Sequence, residues 1–133
     1  GELVKKLITN NQPVKGARVG VLGITFKENC PDIRNSKVID VIRGLQSWGV
    51  EPLVQDGHAD PATARQEYGI ELCELSELTD LAAIIICVAH TQYKALTARD
   101  FAAMLRPGAG VYDVKSIMDR VSFAAANVPL WRL

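Results

Sequence analysis

The 133-residue chain carries no excess charge, because 15 Lys and Arg balance 15 Asp and Glu. A neutral domain has no general pull toward nucleic acid or an anionic lipid surface, so neither is an expected partner. Any anionic ligand must instead be held by a few placed cations. Long apolar runs are also missing. The longest, Leu81 to Ala89, falls well short of the roughly 20 residues that a membrane span needs. Cysteine is scarce and odd in number: Cys30, Cys73 and Cys87 stand far apart, with no CxxC and no His-Cys grouping. This argues against a disulfide framework and offers no metal-ligand spacing, in keeping with a reducing, cytoplasmic compartment. No signal-peptide pattern, internal repeat or low-complexity segment is visible. The chain opens Gly-Glu rather than Met, which leaves room for residues upstream.

What is present suits one globular domain. Hydrophobic residues make up 48% and charged residues 23%, and a chain of this size buries about two-thirds of its unfolded surface. Glu2 to Thr9 reads as a short helix with Leu3, Val4 and Leu7 on one face, stopped by Asn10, Asn11 and Pro13. Residues 1–13 are thus expected to be the end of a connecting helix, and 14–133 the domain proper. Ala17 to Leu22 has the compact apolar character of a strand. Ser36 is expected to cap a helix carrying Val38, Ile39, Val41, Ile42 and Leu45, with Gly49 past its end. Val50 to Val54 reads as a second strand, and Asp60-Pro61 opens a helix to about Tyr68. Ile70 to Leu72 suggests a short strand, and Leu75 and Leu78 a small helix. Leu81 to Val88 is the strongest strand, apolar throughout as a strand buried on both faces must be. Phe101, Met104 and Leu105 mark a helix closed by Pro107 and Gly108. Gly110 to Val114 and Val128 to Leu133 complete the set as strands, the last at an edge.

Strands alternating with helices through short links predict an open, mostly parallel, Rossmann-like α/β sheet with helices on both faces. Ligands of such sheets bind beyond the carboxyl ends of the strands. The polar loop from Gly23 to Ser36 is therefore the first place to look. Gly20-Val-Leu-Gly23 is not the GxGxxG dinucleotide fingerprint, and no acidic residue follows at the distance that fingerprint requires.

The longer string Gly23-Ile-Thr-Phe-Lys-Glu-Asn-Cys-Pro-Asp-Ile-Arg-Asn-Ser36 resembles the C-terminal domain of the UDP-glucose/GDP-mannose dehydrogenase family. Its pattern is roughly G-x-x-F-K-x-x-x-x-D-x-R-x-S, and Phe26, Lys27, Asp32, Arg34 and Ser36 all match. The resemblance continues through the apolar strand to Ala89-His90 and Asp113-x-Lys115, and is nearest to the branch acting on UDP-N-acetylhexosamines for bacterial surface polysaccharide. It implies that Phe26 and Lys27 contact the nucleotide sugar, that Lys115 contacts substrate where the family often has Arg, and that Arg34 reaches NAD. It implies a parent enzyme, an NAD-dependent UDP-sugar 6-dehydrogenase that oxidises a UDP-N-acetylhexosamine or UDP-glucose to the uronic acid and assembles as a homodimer or larger homo-oligomer. There the C6 alcohol is oxidised twice through a cysteine thioester. The nucleophilic cysteine and the NAD-binding domain are absent from this chain, so no catalytic residue is assigned and the chain alone is expected to be inactive. The expected partners are the UDP-sugar and the parent's remaining domains.

The residues also carry plainer readings. Taken alone, Phe26 is as well read as a core aromatic, and Lys27, Arg34 and Lys115 as solvated charges. Asp32 is read as a loop organiser paired with Arg34, Asp113 as fixing its own loop, and His90 as a cap or turn residue. Asp56 is read as a turn former, and Trp48 and Trp131 as packing residues. Three alternatives stay open: the GDP-mannose branch, a receiver-like signalling domain with Asp56 as phospho-acceptor and Lys115 as its lysine, and an assembly domain without ligand.

Overall fold

The computed structural model describes residues 2–9 and 12–132. Five strands form one sheet: β1 (Arg18–Leu22), β2 (Glu51–Gln55), β3 (Leu81–Ile86), β4 (Leu105–Asp113) and β5 (Leu130–Arg132). Their order is β2-β1-β3-β4-β5, and every neighbouring pair is parallel. Six helices flank it: α1 (Glu2–Thr9), α2 (Val38–Ser47), α3 (Pro61–Tyr68), α4 (Thr91–Lys94), α5 (Ala98–Met104) and α6 (Arg120–Ala125).

The apolar pattern divides cleanly between two layers. On one face, Leu3 and Leu7 of α1, Ile42 and Leu45 of α2 and Ala64 of α3 pack with Val19, Val21, Ala83 and Ile85. On the other, Tyr93, Phe101, Met104 and Phe123 of α4 to α6 pack with Leu22, Ile84 and Ile86. Alternate residues of β1 and β3 thus point to opposite helical layers, as a strand of period two requires. All six residues of β3 are buried, and each large aliphatic there contributes roughly 1.5–3 kcal/mol of transfer free energy. The first and last elements meet: the Lys6 ammonium lies 5.9 Å from the Trp131 ring centroid, and Trp131 packs against the layer holding Leu3 and Leu7.

Helix α3 starts as its sequence predicts. The Asp60 carboxylate accepts from the Thr63 N–H at 3.2 Å and from its hydroxyl at 2.7 Å, and Gly69 closes the helix at φ +66°. Other boundaries move. Helix α2 begins at Val38 with Lys37 at the cap position, although Ser36 Oγ still accepts from the Val38 N–H at 3.3 Å. The expected strand at Ile70 to Leu72 reduces to a single bridge between Val54 and Leu72, and Leu75–Glu77 is a 3-10 turn. Leu105 opens β4 instead of ending α5, and Pro107 and Gly108 lie within that strand. The register explains their tolerance: Leu81 pairs with Leu105 but Ala83 with Gly110, so residues 106–109 bulge out of the ladder. Proline costs little where no ladder bond is made. Helix α6 is not among the elements expected from sequence, because it buries only Phe123; its one start signal is Asp119, which caps it at the N–H groups of Val121 and Ser122. Trp48 is 55% exposed and is not a packing residue. Asn10 and Asn11, expected to stop α1, and Leu133, expected to end the edge strand, lie outside the described residues.

Candidate functional site

Strand order creates the site. The chain leaves β1 toward β2 on one side, and β3 lies on the other, so the loops after β1 and β3 diverge and open a crevice between them. A cleft of about 230 Å³ occupies this position, and the loop after β1, the loop after β3 and the loop after β4 all contribute to its walls. Phe26, Lys27 and Lys115 line it together. They come from positions 89 residues apart in sequence (115 minus 26), and nothing but the parallel sheet brings them together.

Phe26 is 60% exposed, so it is not a core aromatic. Its backbone N–H donates to the Asp32 carbonyl at 2.7 Å, which folds the loop back on itself and leaves the ring at the cleft. Two lining residues escaped the sequence reading. Lys37, at the cap of α2, places a third ammonium-bearing side chain there, and Cys87 contributes from the end of β3. The signal for Lys37 was its place directly after the matched Ser36, at a helix start facing the predicted ligand edge. Three lysines against Glu28 leave this cleft cationic in a chain with no net charge.

Arg34 is outside the cleft lining. Its side chain is 85% exposed, and it donates from Nε to Asp32 Oδ1 at 3.0 Å and from Nη2 to Oδ2 at 3.2 Å. The Arg34 backbone N–H adds a bond to Oδ1 at 2.9 Å. Asp32 is therefore the loop organiser read from sequence, and the Arg34 side chain and N–H hold its carboxyl below the usual range. Asp113 likewise fixes its own loop, accepting from the Met118 N–H at 2.8 Å.

Asp56 and His90 are both buried and bonded to the loop after β1. Asp56 Oδ2 accepts from the Ile24 and Thr25 N–H groups at 2.8 and 3.3 Å. Its Oδ1 accepts from the His58 and Ala59 N–H groups at 2.8 and 3.1 Å. His90 Nε2 lies 2.9 Å from Asp56 Oδ2, and Nδ1 accepts from the Asn29 N–H at 2.9 Å. Burial works to raise the Asp56 pKa, but the bonds from His90, Ile24 and His58 outweigh it and hold it at about 2. His90 stands at the cap position of α4 but makes no side-chain cap bond, so it serves the loop and not the helix.

This arrangement argues against the receiver-like alternative. A phospho-acceptor must present a free carboxylate oxygen, and both oxygens of Asp56 are buried and engaged. Nor do the described residues hold any group of three His, Cys, Asp or Glu placed to bind a metal ion. Two of the thiols are poor nucleophiles, because burial pushes Cys87 up to about 12 and also raises Cys73, and Cys30 lies outside the cleft lining.

Comparison with known proteins agrees with this geometry. Residues 20–120 match the model of the UDP-glucose/GDP-mannose dehydrogenase family, UDP binding domain. Protein CapL of Staphylococcus aureus is 35% identical over 98% of this chain, which spans 30% of that protein. A UDP-N-acetyl-D-glucosamine 6-dehydrogenase of Pseudomonas aeruginosa is 36% identical over 89% of the chain, which spans 28% of it. Among solved structures, an NDP-N-acetyl-D-galactosaminuronic acid dehydrogenase from Methanosarcina mazei Go1 superposes with a TM-score of 0.84 at 18% identity. It covers 98% of this chain, which corresponds to 27% of that one, and at that identity the likeness shows the fold. A 101-residue match that starts in β1 and runs past Lys115 covers every wall of the cleft, and on that ground the chain belongs to the UDP-glucose/GDP-mannose dehydrogenase family, as its UDP-binding domain.

Proposed function

We propose that the chain supplies the UDP-binding part of an NAD-dependent UDP-sugar 6-dehydrogenase. Its substrate would be a UDP-N-acetylhexosamine, and its uronic acid product would serve surface polysaccharide assembly. The observation that carries this reading is the meeting of Phe26, Lys27 and Lys115 in one cationic cleft at the switch point of the sheet. A diphosphate needs placed cations in a neutral chain, and flexible ammonium groups suit phosphate and sugar oxygens. The exposed Phe26 ring offers an apolar face of the kind a flat base stacks on. The relative named a UDP-N-acetyl-D-glucosamine 6-dehydrogenase supports the choice of sugar.

NAD, when bound, supplies the hydride acceptor. This chain's part toward it is Arg34, whose guanidinium is exposed and already oriented by Asp32. No GxGxxG follows β1, so the bulk of the NAD site would belong to a domain outside this chain, as would the cysteine that forms the thioester. The parent would be a cytoplasmic homo-oligomer.

Calorimetric titration with UDP, with GDP as control, tests the reading. UDP should saturate while GDP binds far more weakly, and Lys27→Ala or Lys115→Ala should each lower UDP affinity about tenfold. That loss, about 1.4 kcal/mol, sits at the low end of what one charge-assisted bond contributes, roughly 1.5–3 kcal/mol. Absence of UDP binding by both this chain and the intact parent would sink the reading, and preference for GDP would move it to the GDP-mannose branch.

A further inference from the structure

The loop segment that carries the site is gripped at both ends by the same buried pair. On one side, Asp56 Oδ2 holds the N–H groups of Ile24 and Thr25. On the other, His90 Nδ1 accepts from the Asn29 N–H at 2.9 Å. Between these anchors lie three residues, Phe26, Lys27 and Glu28, all exposed and all lining the cleft. Neither Asp56 nor His90 lines it. Two further contacts tighten the grip. Thr25 Oγ1 donates to the Lys27 carbonyl at 2.9 Å, and the Asn29 side chain exchanges two bonds with Thr91, each 3.0 Å.

The hydrogen bonds fix the histidine tautomer. Nδ1 faces a donor, so it must be the unprotonated nitrogen, and Nε2 then carries the hydrogen directed at Asp56. Asp56 is in turn fixed by two N–H groups from the turn after β2. The chain of bonds thus runs from β2 through Asp56 and His90 into Asn29. Asn29 itself sits at φ +57°, a backbone setting that needs support outside glycine.

We propose that Asp56 and His90 are positioning residues for nucleotide binding: a buried clamp that sets the backbone of residues 24–29 and so presents Phe26 and Lys27 to the ligand. The inference rests on the proposed UDP site for its functional half. The clamp itself is a property of the free chain. Lys115 comes from the loop after β4 and does not depend on it, which gives the proposal a selective signature.

Two measurements on the full chain decide it. Amide hydrogen exchange in His90→Ala should quicken at least tenfold at Ile24, Thr25 and Asn29, while the β3 amides keep their protection. UDP affinity should fall about tenfold. In a double-mutant cycle, Lys27→Ala should then add little to His90→Ala, whereas Lys115→Ala should keep its full effect. His90→Gln, whose amide NH2 can donate toward Asp56 while its oxygen accepts from the Asn29 N–H, should recover part of the loop protection. If His90→Ala unfolds the domain, His90→Leu replaces it. Leucine fills much of the imidazole's volume but offers no acceptor to the Asn29 N–H, so loop exchange should rise with the sheet intact. Unchanged loop exchange in the folded variants, or equal coupling of His90 to Lys27 and to Lys115, would overturn the clamp. A wild-type chain and parent that ignore UDP would overturn the nucleotide site and the functional half of the proposal, while the exchange data still decide the clamp.

Discussion

Lys37 is the residue whose place only the three-dimensional structure made plain. In sequence it is one more lysine after a matched serine, but it occupies the cap position of α2 and lines the cleft with Lys27 and Lys115. Lys37→Ala should weaken UDP binding by up to about tenfold in the same titration, and Lys37→Glu by more, because it reverses a charge beside a diphosphate. Asp56 makes a separate prediction about acid. Its carboxyl is held at about 2 in the folded chain against an ordinary 3.8. A lowered carboxylate stabilises the fold fully above its unfolded pKa, and that contribution is lost as pH falls from about 4 toward 2. The amount is on the order of 2 kcal/mol. Urea unfolding followed between pH 5 and 2 should show this loss in the wild type and a flatter acid limb in Asp56→Asn, which starts out less stable. A wild-type curve as flat as the variant's would remove the hydrogen-bonded carboxylate from the account of acid stability.

At the scale of elements, the strands and helices α1 and α2 were readable because burial leaves a period in the sequence, and α3 because of its start signal. Leu81 to Val88 reads as a strand buried on two faces, and β3 occupies Leu81–Ile86 of it, while Asp60-Pro61 carries its own start signal. What could not be read were elements fixed by register or by a single contact. Pro107 and Gly108 look like a helix stop, yet they sit in a bulge that appears only once β4 is paired with β3. Helix α6 has one buried side chain, too few for a period. The site followed the same division. A fixed-spacing string gave Phe26, Lys27, Asp32 and Arg34, but the role of His90 depends on a bond to Asn29, 61 residues earlier in the chain. The junction of β1 with its loop is also a tertiary matter. Gly23 has φ +95°, and a Cβ there would lie 2.5 Å from Val88 Cβ. Gly23→Ala should therefore cost roughly 2–4 kcal/mol, read as a lower urea midpoint, through overpacking and left-handed strain together.

For the whole molecule, the division of labour in the proposed enzyme yields a negative result that can be measured. The chain spans about 30% of the length of the relatives it matches. None of its three cysteines stands in the cleft as an activated thiol, since Cys87 is pushed up to about 12. This chain mixed with NAD and a UDP-sugar should give no rise in NADH absorbance, while the parent should. Turnover by the chain alone would place the chemistry in the wrong part of the enzyme. The fold class was readable from alternation alone. The strand order β2-β1-β3-β4-β5 was not, because it depends on which edges pair, and that order is what puts the cleft between the first and third strands.

The meeting of Lys6 with Trp131 has a consequence for how this architecture can be rearranged. Helix α1 and strand β5 are the first and last described elements, and they share one hydrophobic layer. A flexible linker joining these two elements would let the chain be reopened elsewhere without breaking the sheet. The bulge at residues 106–109 lies outside the ladder, and Pro107 and Gly108 are exposed, which makes it the natural place to cut. A circular permutant opened there should fold and keep its cleft, whose lining includes none of residues 106–109.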